Sequence, residues 1–156
     1  MDTKAKIITQ FVRDLSFENP QGPMAFRSQP KKPEIKANID VKAINQKDTK
    51  IYEIELNINV AALQNNKKIY LIDLKYVGIF EIENLTDEIR EPYLLVECPR
   101  LIFPFARRII YDLHSDGGLP PLLLDPVNFA KLYQQKKISK KRHLIRINFF
   151  PNSFWT

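Results

Sequence analysis

The chain has 156 residues, 44% of them hydrophobic and 27% charged, with one cysteine, Cys98, and two histidines, His114 and His143. This composition suits one globular domain that buries a core without cross-links; it excludes an internal disulfide and fits a reducing compartment. The net charge of +6 is concentrated at one end, since residues 1–136 hold all 18 acidic and 19 of the 24 basic residues, and the surplus is Lys137, Lys140, Lys141, Arg142 and Arg146. A near-neutral body with a basic tail is weak ground for a nucleic-acid-binding domain.

The first half alternates with period two, as strands do. Residues 7–18 form a first strand, with Phe11, Leu15 and Phe17 assigned to one side and Asp14, Ser16 and Glu18 to the other. Residues 19–33 follow as a long crossing stiffened by Pro20, Pro23, Pro30 and Pro33, with the greasy Met24-Ala25-Phe26 inside it. Residues 35–43 set Ile35, Ala37, Ile39, Val41 and Ala43 against Lys36, Asn38, Asp40 and Lys42. Residues 51–60 set Tyr52, Ile54, Leu56, Ile58 and Val60 against Glu53, Glu55, Asn57 and Asn59. Residues 69–82 form a fourth, more apolar strand. Short polar links at Asn45–Thr49 and Gln64–Lys67 require antiparallel hairpins, because a parallel crossover needs a dozen residues or more.

Helices follow. Residues 84–97 read as a weak helix broken at Pro92. Pro99 to Ser115 is stronger, with Ile102, Phe105, Ala106, Ile109, Ile110 and Leu113 at helical spacing, Pro104 fitting only near its first turn and Gly117-Gly118 ending it. Asp125-Pro126 supplies an N-cap and an N1 proline for a last helix over Pro126 to Lys136. The layout is α+β: a four-stranded antiparallel sheet with C-terminal helices packed on one face. Residues 1–136 form the domain, and 137–156 form a flexible basic and aromatic tail.

Chemistry is missing from this pattern. Four glycines form no phosphate-binding loop, and two histidines with one cysteine have no metal-ligand spacing. A Cys98–His114 nucleophile pair has no motif behind it. No enzyme, cofactor or metal is expected. The chain opens Met1-Asp2-Thr3-Lys4 without a long apolar run, and segments such as Leu119–Leu124 are too short to span a bilayer, so a cytosolic protein with no membrane insertion is expected. The apolar loop residues Met24, Phe26, Leu119, Leu122, Leu123 and Leu124 have two readings, as lids over the core or as walls of a groove for extended chains.

Four stretches in order resemble the SecB family of export chaperones. Asp14-Leu15-Ser16-Phe17-Glu18-Asn19-Pro20 is similar to the family's opening strand, and Gly78-Ile79-Phe80 to the end of its fourth. Cys98-Pro99-Arg100-Leu101-Ile102-Phe103-Pro104-Phe105-Ala106-Arg107 resembles the start of its main helix, and Gly118 to Phe129 its Pro- and Leu-rich segment ending P-V-N-F. The resemblance covers about residues 7–136. It implies an ATP-independent holdase that keeps secretory precursors unfolded in the cytosol, selects slow-folding chains kinetically, and delivers them to the export motor SecA. It implies a homotetramer, a dimer of dimers, with Ile102, Phe105, Ile109 and Leu113 at the oligomer interface. It implies SecA-binding positions at Asp14, Glu18, Leu71 and Asp73, and a client groove at Met24, Phe26, Leu119, Leu122, Leu124 and Phe129. Lys31-Lys32 stands where the family often has tryptophan, and the tail differs from the family's acidic ending. A SecB-like holdase dedicated to a single client such as an antitoxin, and a nucleic-acid- or lipid-binding adaptor acting through the basic tail, are the alternatives. No nucleic acid is expected as a partner.

Overall fold

The computed structural model describes residues 2–20, 33–138 and 145–149, with side chains up to residue 135. Strands β1 (Lys4–Glu18), β2 (Glu34–Asn45), β3 (Ile51–Gln64) and β4 (Lys67–Glu83) precede a helical rod, α1 (Asp87–Pro92), a π-helical segment (Tyr93–Glu97) and α2 (Cys98–Asp116). Then come α3 (Phe129–Ile138) and a short β5 (Ile145–Phe149). The strands form one sheet in the order β1-β4-β3-β2-β5, with each neighbouring pair antiparallel. The expected four strands are present, and a fifth from the tail extends them at the β2 edge.

The hairpins follow from their turn residues. Asn65 and Asn66 have φ of 51° and 62°, the left-handed pair that a two-residue turn needs to match strand twist. Asparagine tolerates that region where most side chains do not. The wider β2–β3 turn closes with Gln46 N donating to the Ile51 carbonyl at 3.0 Å and with Asp48 at φ 60°.

One face of the sheet is the core. Ile35, Ala37, Ile39 and Val41 of β2, Ile54, Leu56, Ile58 and Ala62 of β3, and Leu74 and Phe80 of β4 are wholly buried there. Against them α2 packs Ile102, Ala106 and Ile110, also wholly buried. At roughly 1.5–3 kcal/mol for each large side chain, this layer is the main attachment between helix and sheet. Gly78 sets its closeness: a Cβ there would lie 2.9 Å from both Ile102 Cγ2 and the Phe80 ring.

Strand β1 departs from its expected phase. Its register with β4 slips at Ile8 and again at Arg13, two bulges that each insert a residue. Across from β4, Val12, Leu15 and Phe17 share the helix-side face, whereas Phe11 lies on the outer face with Asp14, Ser16 and Glu18. Phe11 is therefore not on the side of Leu15 and Phe17.

The helices also differ in detail. Pro92 does not break the rod. Pro99 cannot donate to the carbonyl of Leu95, and the widened π turn directly before it, with Cys98 N bonded to the Tyr93 carbonyl, makes room for its ring. Pro104 sits well inside α2, beyond its first turn. The last helix is capped by Asn128, whose Oδ1 accepts from Lys131 N at 3.0 Å, so Asp125 and Pro126 lie before it and do not start it. Gly118, at φ 70°, takes the left-handed position that ends α2.

Candidate docking and client-binding surfaces

The outer face of β1 and β4 brings together the four positions expected to dock SecA. Across the two strands Asp14 stands opposite Lys75, Ser16 opposite Asp73, and Glu18 opposite Leu71, so all four predicted residues share one face. Ser16, Glu18, Leu71 and Asp73 line a shallow depression of about 410 Å³, shared with Asn59 and Ala61 of β3 and with Lys36 and Asn38 of β2. Asp14 and Glu18 are exposed, whereas Leu71 and Asp73 are half-buried. Asp73 Oδ1 is enclosed and has no hydrogen-bond partner, an acceptor left open in a depression of mixed polar and apolar lining. Farther along the same face the bulged Arg13 pairs with Glu53 and with Glu55 (3.1 Å), while its guanidinium lies 5.9 Å from the Phe11 ring centre. Val77, opposite Phe11 and Glu55, is fully buried on this outer side.

The client-groove residues divide. Met24 and Phe26 lie outside the described residues. Leu122 and Leu124 are wholly buried and Phe129 nearly so, its ring edge-on to Phe103 with centres 5.9 Å apart. These three are lids over the core, and Leu119 is partly buried beside them. The neighbour that reaches solvent is Leu123, 54% exposed. An apolar cleft opens instead between the rod and α3, about 560 Å³, lined by Ile89, Tyr93, Val96, Ala130 and Tyr133 with Pro92 at its edge. The spacing Ile89, Tyr93, Val96 on the rod could have pointed to it, but the expected break at Pro92 split the stripe between two elements.

The interface residues divide too. Ile102 is wholly buried against the sheet of its own subunit, so it belongs to the core and not to a contact between subunits. Phe105 is 48% exposed, and Ile109 and Leu113 are partly buried. Leu101 and Tyr111 are also exposed and extend the apolar ground on α2 beyond those positions. A second set of exposed apolar residues lies on β1, which ends the sheet among the described residues: Ile8, Phe11, Val12 and Leu15.

Cys98 and His114 cannot act together. They sit sixteen positions apart on one helix, roughly 24 Å along its axis at 1.5 Å per residue. Burial pushes the Cys98 thiol up to about 12, with the Glu97 carboxylate adding to the effect, which leaves it protonated at neutral pH. His114 is wholly buried; its Nδ1 donates to the Ile110 carbonyl at 2.7 Å, so its Nε2 accepts the Tyr70 hydroxyl, also at 2.7 Å. Both groups are satisfied by each other and by backbone, which makes the pair structural. Among the described residues no group of three His, Cys, Asp or Glu side chains is placed to hold a metal ion, and no helix is long and apolar enough to cross a membrane.

The geometry defines an α+β scaffold, one sheet layered against helices, with apolar ground left open on both. The family described as "Preprotein translocase subunit SecB" matches residues 1–140, and the chain belongs to the SecB family. The chain is 45% identical over 130 residues to the Protein-export protein SecB of Maricaulis maris (strain MCS10), covering 83% of this chain and 74% of that one. It is 40% identical over 137 residues to the Protein-export protein SecB of Bartonella quintana (strain Toulouse), covering 88% and 86%. Its fold is similar to that of a SecB-like chaperone of Mycobacterium tuberculosis solved in complex with a ChAD peptide from an antitoxin, with a TM-score of 0.66 at 16% identity over 79% of this chain and 90% of that one.

Proposed function

We propose that this protein is an ATP-independent export chaperone of the cytoplasm, which holds precursor polypeptides unfolded and passes them to SecA. Family membership carries this reading, and the uncovered apolar surface supports it. The cleft of Ile89, Tyr93, Val96 and Tyr133, with Leu123 nearby in the chain, offers shape-tolerant contacts to an extended client. Several such modest contacts on one assembly add through effective concentration, so that a client is held firmly while each local contact remains replaceable.

A dimer of dimers requires two different self-complementary contacts. The exposed Leu101 and Phe105 of α2 provide one, and the free β1 edge with Ile8, Phe11 and Val12 provides the other. SecA docks on the outer patch, where Asp14 and Glu18 supply charge and Leu71 and Asp73 form the recessed centre. That both strands keep this patch favours the general export role over a holdase dedicated to one client.

The test is light scattering from a chemically denatured precursor diluted into buffer without nucleotide, with and without the protein. Suppressed aggregation at a stoichiometric ratio is expected. Aggregation unchanged by the protein overturns the proposal.

A further inference from the structure

Arg13 is the extra residue of the second β1 bulge: Val12 stands opposite Tyr76 and Asp14 opposite Lys75, which are consecutive on β4. Its guanidinium reaches past that strand and pairs with Glu53 and Glu55 of β3. Val77 of β4 stands in line with Phe11 on one side and Glu55 on the other, and it is wholly buried although it lies on the outer face. Glu55 itself is only 9% exposed. The side chain thus ties β1 to the next strand but one, at the point where the ladder between β1 and β4 is interrupted. We propose that Arg13 is a positioning residue for docking: its bridge over β4 holds the bulge at position 13 and so keeps Asp14, Ser16 and Glu18 turned outward. The proposal rests on the SecA-docking reading of the outer patch and adds the device that sets its phase.

The physical argument concerns register. A bulge inserts one residue and so reverses the side-chain alternation beyond it. With the extra residue at 13, Asp14, Ser16 and Glu18 stand opposite Lys75, Asp73 and Leu71 on the outer face. Were β1 to run on from Val12 and Tyr76 without it, Arg13 would face Lys75, a pair of like charges, and Asp14 would face Leu74. Asp14 and Glu18 would then turn to the helix side, and Leu15 and Phe17 to the outside. Among the described residues β1 has a neighbouring strand on one side only, so no second ladder fixes the choice. The two carboxylates of β3 supply that hold from beyond β4.

The test uses two sets of variants of the full chain: Arg13→Met, which keeps an apolar stem, and Glu53→Gln with Glu55→Gln, which leaves Arg13 in place. SecA affinity is measured by isothermal titration. Register is read in separate molecules carrying Ser16→Cys with Asp73→Cys; these positions are directly opposite, and an antiparallel pair at roughly 4.5–5.5 Å between Cα atoms is within reach of a disulfide. Both sets should lower SecA affinity at least fivefold and the cross-linking yield at least threefold. Arg13→Lys, which can keep one of the two pairs, should fall between them and the parent. A long-range field would instead move the two sets in opposite directions, since one removes a positive charge and the other removes negative charges. Opposite shifts in affinity therefore overturn the proposal, as does affinity lost with the cross-link intact, which would make Arg13 a contact of SecA itself. Cross-linking and affinity both unchanged overturn it as well. The cross-link reports the register without SecA, so a parent that does not bind SecA counts against the docking reading alone.

Discussion

The Tyr70 hydroxyl donates to His114 Nε2 at 2.7 Å in the middle of the core, joining β4 to the C-terminal half of α2. The imidazole is neutral there, because burial lowers its pKa from the ordinary 6.5 and the Ile110 carbonyl offsets this only in part. A group whose folded pKa is depressed in this way binds a proton more readily when the chain unfolds. Stability is therefore fully present above about pH 6.5 and is lost as pH falls below it, towards the depressed folded value. Urea midpoints at fixed protein concentration should be flat above pH 7 and decline from pH 6.5 to 5. His114→Leu should flatten that slope. Tyr70→Phe should keep the slope while lowering stability by about 1–3 kcal/mol, the cost of an unmatched buried acceptor.

The approach of Ile102 to Gly78 makes a second prediction. A methyl group at position 78 would stand 2.9 Å from Ile102 Cγ2 and from the Phe80 ring. Gly78→Ala should push α2 off the sheet and destabilise the subunit by about 1–3 kcal/mol. Serine should be worse, since its hydroxyl would be buried among apolar atoms. Thermal unfolding of the two variants against the parent checks the order.

If SecA docks on the outer face as proposed, docking and client holding should separate there. Leu71→Ala with Asp73→Ala empties the centre of the patch without touching the helix-side surfaces. SecA affinity should drop at least tenfold, about 1.4 kcal/mol, while aggregation suppression stays within twofold of the parent. Isothermal titration with SecA and a light-scattering assay with a denatured precursor give the two numbers. Equal loss in both would remove the outer patch from the docking role.

The proposed assembly through exposed residues of α2 makes a fourth prediction. Phe105→Asp places a charge on a ring position that is half open in the subunit, so the fold should persist while the oligomer splits. Mass from light scattering should halve or fall further, with the circular dichroism spectrum unchanged. Ile102→Asp should instead prevent folding, because that residue is wholly buried.

The cleft proposed to take clients has its own variant. Tyr93→Ser with Val96→Ser removes apolar wall from the space between the rod and α3. Capture of a denatured precursor should weaken about tenfold with the oligomer intact, whereas Leu123→Ser alone should have a smaller effect.

How much of this was legible in the sequence depended on the period of each element. Strands β2 and β3 alternate without interruption, and both their faces could be read directly from Ile35 to Ala43 and from Tyr52 to Val60. In β1 the bulge at Arg13 reverses the phase, so Phe11 was assigned to the face of Leu15, and no composition signal marks such an insertion. The shared face of Asp14, Glu18, Leu71 and Asp73 was legible because Asp14 and Glu18 both lie on one side of that bulge. Pro92 suggested a break that the continuous rod does not have, and Asp125-Pro126 outcompeted Asn128 as the expected cap because an N1 proline normally marks a helix start. Ile102 and Phe105 share an apolar stripe in sequence, yet one is sealed and the other open. A stripe gives direction around the axis but not how far the neighbouring layer extends. The tail read as a flexible basic and aromatic end, and its strand depends on a non-local edge that periodicity over five residues cannot reveal.

The π turn between Tyr93 and Glu97 has a consequence for how the two apolar territories of the rod relate. An additional residue within one turn offsets everything beyond it by roughly 100° about the axis. Tyr93 and Val96 line the cleft beside α3, whereas Leu101 and Phe105, beyond the π turn, are exposed. Losing one residue from this stretch would swing the two territories relative to each other without altering either composition, which makes the rod's angular indexing as essential to the particle as the side chains it carries.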